Sequence, residues 1–438
     1  MTRRELMAGF LTAAVGGGSV HAAERTVALA EVTKPGDVFQ VELQLVLAGR
    51  LKIDREDKPE QLPIEAKAKH RYRERVDHSA KPVAARHYVE AVSESTIAGE
   101  RSVKKLAEDR RGIFIYRNAD GPLPVAPTGP LAREELELVA EHFDSLALAN
   151  LLPGREISIG DTWSIANDVV QSVCHFDGLI EAGLNGRLVS ASDKRAILAI
   201  EGSAEGVEQG AKVKVSIAAR GEFDREKSVI DRLEWTQTDA REAGPVSPAM
   251  DAKVSISLTR SREDVAGKEL EAVLQKRPTG PKPPDLWTQL RHVDSKGYEL
   301  VYGREWHIVV RNDKHLVMRL LDRGEYVAQA TFATWKPSAG ADEKAVLAEF
   351  VEATRKTPGW MPEKVLENGP MPVGEGRSVY RLCARGKQDG VEVIQAFHLL
   401  IGGDRHLAIA TVCDVRQAEK LGTRDVALVA AVEMTAKK

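Results

Sequence analysis

Hydrophobic and polar residues alternate along much of the first 260 residues of the chain. Between Phe39 and Leu47 every second side chain is apolar, which is the period of a strand with one buried face. Similar alternation recurs at 88–97, 187–201, 211–223 and 254–260. Gly and Asp residues separate these segments, as hairpin turns require, and the Gly-rich stretch 202–206 is predicted to be one such turn.

One helical segment interrupts the predicted strands. After a Pro-rich loop at 121–130, the stretch 131–152 carries apolar residues at helical spacing, and Pro153-Gly154 ends it. These residues are Leu136, Val139, Phe143, Leu146 and Ala147. We expect this helix to lie against the concave side of the sheet, with an apolar ligand held between sheet and helix.

A short sequence motif occurs twice, at 35–39 and at 159–163. In both copies Gly-Asp stands two residues before an aromatic residue, Phe39 or Trp163. Gly supplies the turn, Asp satisfies the backbone of the loop, and the aromatic side chain begins the next strand. The repetition predicts equivalent halves of one sheet.

The segment 276–284 contains four prolines and no apolar periodicity, which is typical of a stiff, extended linker. A chain of 438 residues is also too long for one compact core. We therefore predict a signal peptide at 1–23, a curved β-sheet domain at 24–268, a Pro-rich linker at 269–285 and a second α/β domain at 286–438.

The pattern changes beyond the linker. Strands are predicted at 298–302, 306–310, 316–321 and 326–335, a helix at about 342–357, a three-strand meander at 378–385, 391–401 and 405–414, and a last helix at 415–431. The fold class is therefore α+β. A mostly antiparallel curved sheet (half-barrel) with one helix precedes an α/β/α sandwich with an antiparallel sheet.

Composition indicates a globular protein, with 43% hydrophobic and 29% charged residues. A net charge of −3 argues against a nucleic-acid partner, and no apolar run after the signal is long enough to cross a membrane. The cysteines are sparse, and Cys383 and Cys413 are expected two strands apart, beyond disulfide reach. They should be reduced and packed as small apolar groups.

The first residues have the composition of an export signal. Two arginines, Arg3 and Arg4, precede a short apolar stretch at 6–15, and small residues follow at 22–23. The paired arginines resemble a twin-arginine signal, which implies export of a folded protein. An ordinary Sec signal stays open as the alternative. Either route predicts a periplasmic or extracellular location.

Five cations alternate along one predicted strand and form a cationic stripe, the candidate anion-contact site: Lys67, Lys69, Arg71, Arg73 and Arg75. Such a row fits an anionic polymer, a lipid headgroup or an acidic partner. The alternative is a solvated outer face neutralised by Glu42, Glu90 and Glu94 on nearby strands. Glu74 is the exception on the apolar face of the same strand.

No nucleophile elbow, phosphate loop, dinucleotide fingerprint or zinc-protease motif occurs in the sequence. A two-residue turn at Gly402-Gly403 would place His398 opposite Leu407 and on the other face from His406, and His70 and His78 have no third ligand nearby. Adjacent Cys174 and His175 would point in opposite directions on a strand. We therefore predict no catalytic residues, no cofactor and no metal, and core positions for the six tryptophans.

The C-terminal part opens on 297–302 and Trp306, followed by a helix, a meander and a closing helix. This arrangement resembles the PsbP/Mog1-like α/β/α sandwich over about 286–434, a family that implies no catalysis. The N-terminal part resembles curved-sheet lipoprotein-carrier-like domains. The stretch 131–163 resembles two-module exported proteins of planctomycete-type bacteria, to which no activity is attached, so no functional residues are carried over.

These features predict an exported, non-enzymatic envelope protein that binds an apolar or anionic ligand or an envelope partner. Two alternatives stay open. One is a hydrolase of envelope polymers whose residues converge only in three dimensions, and the other is an interaction scaffold.

Overall fold

A computed structural model describes residues 26–55, 58–77, 83–118, 121–140, 143–373, 378–402 and 405–435. The predicted signal peptide and His78 lie outside these residues. Of the described residues, 58% are in strands and 16% in helices, so the protein is β-rich with several sheets. The helical share implied by an α+β class is matched only in part.

Sixteen of the described strands precede residue 264: β1 (Val27–Leu29), β2 (Val38–Arg55), β3 (Lys58–Val76), β4 (Ala84–Ile97), β5 (Glu100–Lys105), β6 (Gly112–Asn118), β7 (Gly121–Val125), β8 (Leu131–Ala132), β9 (Arg155–Ile157), β10 (Thr162–Ser164), β11 (Gly178–Ala182), β12 (Asn185–Ala191), β13 (Arg195–Glu208), β14 (Ala211–Asp224), β15 (Val229–Arg241) and β16 (Ala249–Glu263). Ten more follow: β17 (Leu290–Asp294), β18 (Tyr298–Tyr302), β19 (Trp306–Arg311), β20 (His315–Asp322), β21 (Glu325–Trp335), β22 (Trp360–Met371), β23 (Ser378–Gln388), β24 (Val391–Gly402), β25 (Arg405–Asp414) and β26 (Val432–Met434).

The described α-helices are α1 (Arg133–Val139), α2 (Asn167–Val173), α3 (Gly267–Leu274), α4 (Asp285–Thr288), α5 (Glu343–Arg355), α6 (Ala418–Leu421) and α7 (Arg424–Ala430). Short 3₁₀ helices lie at Glu108–Arg110, Ser145–Leu151 and Val415–Gln417.

A 13-stranded antiparallel sheet contains most of the first half of the chain. Its main order is β10-β12-β13-β14-β15-β16-β2-β3-β4-β6-β7, with β11 beside β13 and β5 beside β4. Leu43, Tyr72, Leu198 and Trp235 represent its apolar face, which we call the inner face because it is buried in the main core. The opposite, polar face is the outer face. The alternation in the sequence therefore marked the buried side correctly.

The predicted helix at 131–152 is divided in the structure. Residues 131–132 form β8, 133–139 form α1, and 145–151 form a 3₁₀ helix. Asp144 caps the 3₁₀ helix by accepting a hydrogen bond from the Leu146 N–H (3.0 Å), which stabilises a new start rather than a continuous helix. The apolar side chains are nevertheless buried against the inner face, as predicted.

One predicted strand and one predicted turn are wrong. The stretch 187–201 spans the hairpin between β12 and β13, and 202–206 lies inside β13. A Cβ at Gly206 would collide with the Phe176 ring, so this glycine permits a close approach in a strand rather than a turn.

In the second half, seven antiparallel strands run in the order β19-β20-β21-β25-β24-β23-β22. Helix α5 packs on one face through Val346 and Phe350, and Leu421 and Val429 of α6 and α7 join the core on the other. The predicted last helix is broken because Gly422 adopts a φ of +53° between α6 and α7. Strand β22 was not predicted, because its residues do not alternate.

The two large sheets meet through backbone contacts. Strand β8 pairs in parallel with β17, in a four-stranded sheet of order β26-β18-β17-β8. A Cβ at Gly210 would collide with the Gly324 carbonyl, and Arg304 donates to the Pro124 carbonyl at 2.6 Å. Residues 269–274 of the predicted linker belong to α3, and the division into domains stays a prediction.

Both copies of the repeated sequence motif form the same turn. Gly36 and Gly160 have φ angles of +91° and +96°. The Asp37 carboxylate accepts from the Lys34 N–H at 2.7 Å, and that of Asp161 from Ser158 at 2.9 Å. Each turn is also bonded to a strand of the 13-stranded sheet, through Val76 of β3 and Leu188 of β12. The local structure therefore repeats with the sequence.

We predict that Asp37→Ala and Asp161→Ala each lower the free energy of unfolding by about 0.5–1.5 kcal/mol, because each removes one turn hydrogen bond. Asp37→Ala should cost more, since this carboxylate also pairs with Arg262 at 3.3 Å. Urea denaturation measures both. Asn variants, which keep the acceptor, are the controls, and a loss in only one of the two turns would contradict their equivalence.

Candidate functional site

The cationic stripe lies on the outer face of β3, where acidic residues face it. Glu42 of β2 and Glu90 of β4 stand directly opposite Arg71 on its two sides, and Glu94 stands opposite Lys67. These are the three acids that the sequence placed on nearby strands. Opposite charges on neighbouring strands reduce the field of the stripe.

Two other cations of the stripe form ion pairs. Lys69 lies 3.1 Å from Glu90, and Arg73 lies 2.9 Å from Glu263. The remaining member, Arg75, is half-buried near Gly36. The structure thus keeps all five cations on one face but surrounds them with carboxylates, and their role in binding an anion stays a prediction.

Glu74, the exception on the apolar face, is part of a buried polar network. Its carboxylate accepts a hydrogen bond from Arg86 Nε at 2.6 Å, and the two side chains are 3% and 4% exposed. Arg86 also donates to the Ser145 hydroxyl at 2.9 Å, and its guanidinium lies over the Tyr72 ring. This network attaches the 3₁₀ helix to the inner face of the sheet. A glutamate among apolar neighbours was its sequence signal.

A second buried carboxylate, Asp144, joins three segments. Its Oδ2 accepts from Arg117 at 2.7 Å and from the Ser172 hydroxyl at 2.8 Å, while Oδ1 accepts from Leu146. Burial alone raises the pKa of Asp144, but Arg117, Ser172 and His175 outweigh it, so that the pKa lies below its usual range. Asp144 is therefore ionised in the folded protein at neutral pH.

A cleft of about 420 Å³ opens above this carboxylate. Its walls come from β7, from α2 and from the turn that follows α2. They combine hydrogen-bonding groups with small apolar surfaces: Arg117, Gly121, Pro122, Ala140, Asp168, Gln171, Ser172, His175, Phe176 and Asp177. The volume lies in the range of small-molecule sites. Sequence reasoning missed this cleft because its residues are spread over about 60 positions with no motif spacing.

The adjacent residues Cys174 and His175 lie at the end of α2 rather than on a strand. Burial raises the pKa of the Cys174 thiol to about 12, and Asp239 adds to the effect. The thiol is therefore protonated at neutral pH. His175, which lines the cleft, has a φ of +55°, a conformation that costs energy for a residue with a side chain.

The space expected for an apolar ligand is filled by the protein itself. Phe143 packs edge-on against Trp235 with ring centroids 5.3 Å apart, and Trp163 donates to the Leu151 carbonyl. The void beside Phe143 and Val139 measures about 20 Å³, room for about one water molecule. Unlike this interface, the cleft above Asp144 leaves room for a ligand.

The remaining predictions about histidine and cysteine depend on strand register. His398 pairs with Ile409 rather than Leu407, because the hairpin closes at Gly402 and Arg405. His398 and His406 still lie on opposite faces, since both registers have the same parity. Strand β24 separates Cys383 from Cys413, as predicted, and none of the three cysteines forms a disulfide.

Burial and the nearby Arg381 lower the pKa of His398 to about 3, so this imidazole is neutral. In the part of the chain that the structure describes, no cluster of three His, Cys, Asp or Glu side chains is arranged to hold a metal. Four of the six tryptophans are buried, which fits core positions.

No protein-family model and no curated protein sequence matches the chain. Among solved structures, the chain is similar to the cyanobacterial PsbP protein of Synechocystis sp. PCC 6803, with 13% identity over 34% of this chain and 92% of that one (TM-score 0.27). It is also similar to the Ran-binding protein Mog1p of Saccharomyces cerevisiae, with 9% identity over 33% and 95% (TM-score 0.27). Lipovitellin matches 54% of this chain and 26% of its own at 8% identity (TM-score 0.32).

These are distant similarities of fold over part of the chain, and they carry no function. Among the described helices, none combines the length and the apolar character needed to cross a membrane.

We predict that Arg117→Ala lowers the free energy of unfolding by about 1–3 kcal/mol at pH 7, because it leaves Asp144 buried without a cation. Arg117 is itself 39% exposed, which keeps the cost below that of a fully buried pair. A depressed carboxylate pKa contributes stability above its unfolded value of about 3.9, and this contribution is lost as the pH falls through the folded pKa.

The difference between Arg117→Ala and wild type should therefore shrink below about pH 4. Denaturant unfolding over a pH series measures it. Arg195→Ala, which breaks a more exposed pair with Asp231, is the control and should cost less than about 1 kcal/mol. A difference that is independent of pH would exclude the ion pair as its cause.

Proposed function

We propose that this chain is an exported envelope protein that binds a small polar ligand in the cleft above Asp144, without catalysing a reaction on it. The arginines and apolar segment of the first residues support export.

The proposal rests on the hydrogen bonds that the buried Asp144 carboxylate accepts. This carboxylate is inaccessible to a ligand, yet its Oδ2 accepts hydrogen bonds from two residues that line the cleft, Arg117 and Ser172. Arg117 and Ser172 are thereby fixed in position before any ligand arrives. Such preorganisation favours binding because less side-chain entropy is lost when the ligand forms its contacts.

The composition of the walls selects the class of ligand. Asp168 and Asp177 offer acceptors, Gln171 offers both an acceptor and donors, and Arg117 is already paired with Asp144. The apolar part is limited to small surfaces such as Pro122 and Ala140. A compact ligand with several hydroxyl, amide or amine groups fits this set better than a lipid chain.

The arrangement also favours binding over chemistry. The Ser172 hydroxyl donates a hydrogen bond to Asp144. Its proton is therefore not directed to a histidine base, as a serine nucleophile requires. The Cys174 thiol, with a pKa of about 12, supplies no thiolate.

Filling the cleft tests the proposal. Gln171→Trp places an indole between the walls, whereas Asn167→Trp adds the same group to the exposed start of α2. We expect native mass spectrometry of protein recovered from the envelope fraction of its own host to show a bound small molecule. The ligand should be present in wild type and Asn167→Trp and reduced at least tenfold in Gln171→Trp. Equal occupancy in all three, or no ligand in any, would overturn the proposal.

A hydrolase is the second candidate, because Ser172, Asp144 and the nearby His175 meet below one cleft. Catalysis would require the serine proton to move to His175 instead of Asp144. We expect no release of fragments from purified cell-wall sacculi by wild type or by Ser172→Ala. Release by wild type that Ser172→Ala abolishes, with the fold unchanged by circular dichroism, would favour the hydrolase.

A further inference from the structure

A second cleft, of about 600 Å³, lies where the two halves of the chain meet, and we call it the junction cleft. Strand β5 and helix α1 of the first half line it, together with strand β19 of the second half. Among the described residues, four cations, three carboxylates and apolar side chains of all three elements form its walls. Its volume lies in the range of small-molecule sites.

The carboxylates of the junction cleft are already used within the chain. Each one forms an ion pair with a cation. The pairs, with their N···O distances, are Glu134–Arg311 (3.1 Å), Glu137–Lys104 (2.6 Å) and Glu135–Arg110 (3.7 Å). Glu135 also accepts a hydrogen bond from the Ala132 N–H at 2.9 Å, at the start of α1. The negative charge of the walls is therefore balanced by the protein itself.

The positive charge of the walls is in excess. Among the residues that the structure describes, Arg133 and Lys105 have no carboxylate partner. Two neutral groups hold the Arg133 guanidinium instead, because its Nη2 donates to His307 Nδ1 at 2.7 Å and to the Trp306 carbonyl at 3.4 Å. A guanidinium fixed by neutral acceptors keeps its charge available for an oxyanion.

Two neighbouring side chains respond to the charge of Arg133. Burial first, and then Arg133, lower the pKa of His307 to about 3, so this imidazole is neutral. The same two causes lower the pKa of Arg304 to about 10. Arg304 donates to the carbonyls of Thr288 and Pro124 at 2.7 and 2.6 Å, and none of the described carboxylates pairs with it. A bound anion would therefore stabilise both arginines.

The rest of the junction cleft is apolar. Val103 of β5 is 55% exposed, and Leu138 of α1 and Ile308 of β19 also line the walls. A bare inorganic anion would leave this surface in contact with water. A ligand with one oxyanion group and a compact apolar body would cover it, and burial of apolar surface would then add to the affinity.

We propose that the junction cleft binds a small organic anion, with a carboxylate or phosphate group against Arg133 and Lys105 and an apolar part against Val103 and Ile308. Such a ligand contacts both halves of the chain. The site is separate from the cleft above Asp144, since the two clefts have no wall residue in common.

Isothermal titration calorimetry of the purified chain with benzoate, phenyl phosphate and the uncharged benzamide tests this proposal. At least one of the two anions should bind with a dissociation constant below about 1 mM. Benzamide, which has the same ring as benzoate but no charge, should bind at least about tenfold more weakly. The anion that binds more tightly identifies the head group that the site prefers.

Two variants locate the bound anion. Arg133→Gln should weaken its binding at least about tenfold, because a charge-assisted hydrogen bond is lost. Lys105→Gln should weaken it about two- to fivefold, because this ammonium is exposed. Arg101→Gln changes an exposed arginine of the same strand outside the cleft walls, and it is the control that should leave the affinity unchanged.

Benzamide that binds as tightly as the anions would contradict the proposal, and so would a failure of both anions to bind. Equal affinities of wild type, Arg133→Gln and Lys105→Gln, with unchanged circular dichroism spectra, would place the anion elsewhere and would exclude this site. If Arg133→Gln does not fold, the exposed Lys105→Gln decides between the two results.

Discussion

The structure depends on two carboxylates that are buried on the inner face of the large sheet. Glu74 and Asp144 each lie among apolar residues, where an unpaired charge would cost several kcal/mol. Each must therefore be met by a cation, and the partners are Arg86 and Arg117. Because Ser145 follows Asp144 and bonds to Arg86, the two pairs together fix the 3₁₀ helix over the sheet.

This constraint also explains where the cleft lies. The hydrogen bonds of Asp144 hold Arg117 and Ser172, two wall residues of the cleft, at fixed positions. Space is left beside Asp144, walled by α2 and β7, whereas the purely apolar contact at Phe143 and Trp235 is closed. Stability and the proposed binding site therefore have a common origin.

The sequence predicted what depends on local pattern. Alternation located most strands and their buried faces, and a repeated Gly-Asp motif identified two turns of the same conformation. It failed where contacts between distant residues decide the outcome. The stretch 131–152 has helical spacing, but contacts with other elements divide it. Asp144 accepts hydrogen bonds from Arg117 and Ser172, and Ser145 accepts one from Arg86. The Asp144 cluster was invisible because Arg117 and Ser172 become neighbours only through the fold. Only Glu74 could be recognised from the sequence as part of a buried network, because it is a charge on an apolar face.

The four-stranded sheet that joins the two halves has a consequence for biogenesis. Strand β8 cannot find its partner when it leaves the ribosome, because its neighbour β17 is synthesised much later. Strand β26, at the far side of that sheet, follows roughly 300 residues after β8. One apolar core runs through both halves, so a nascent N-terminal half exposes surface that awaits the rest. Contacts of such high sequence separation fold slowly. The four-stranded sheet can therefore be completed only after almost the whole chain has been synthesised.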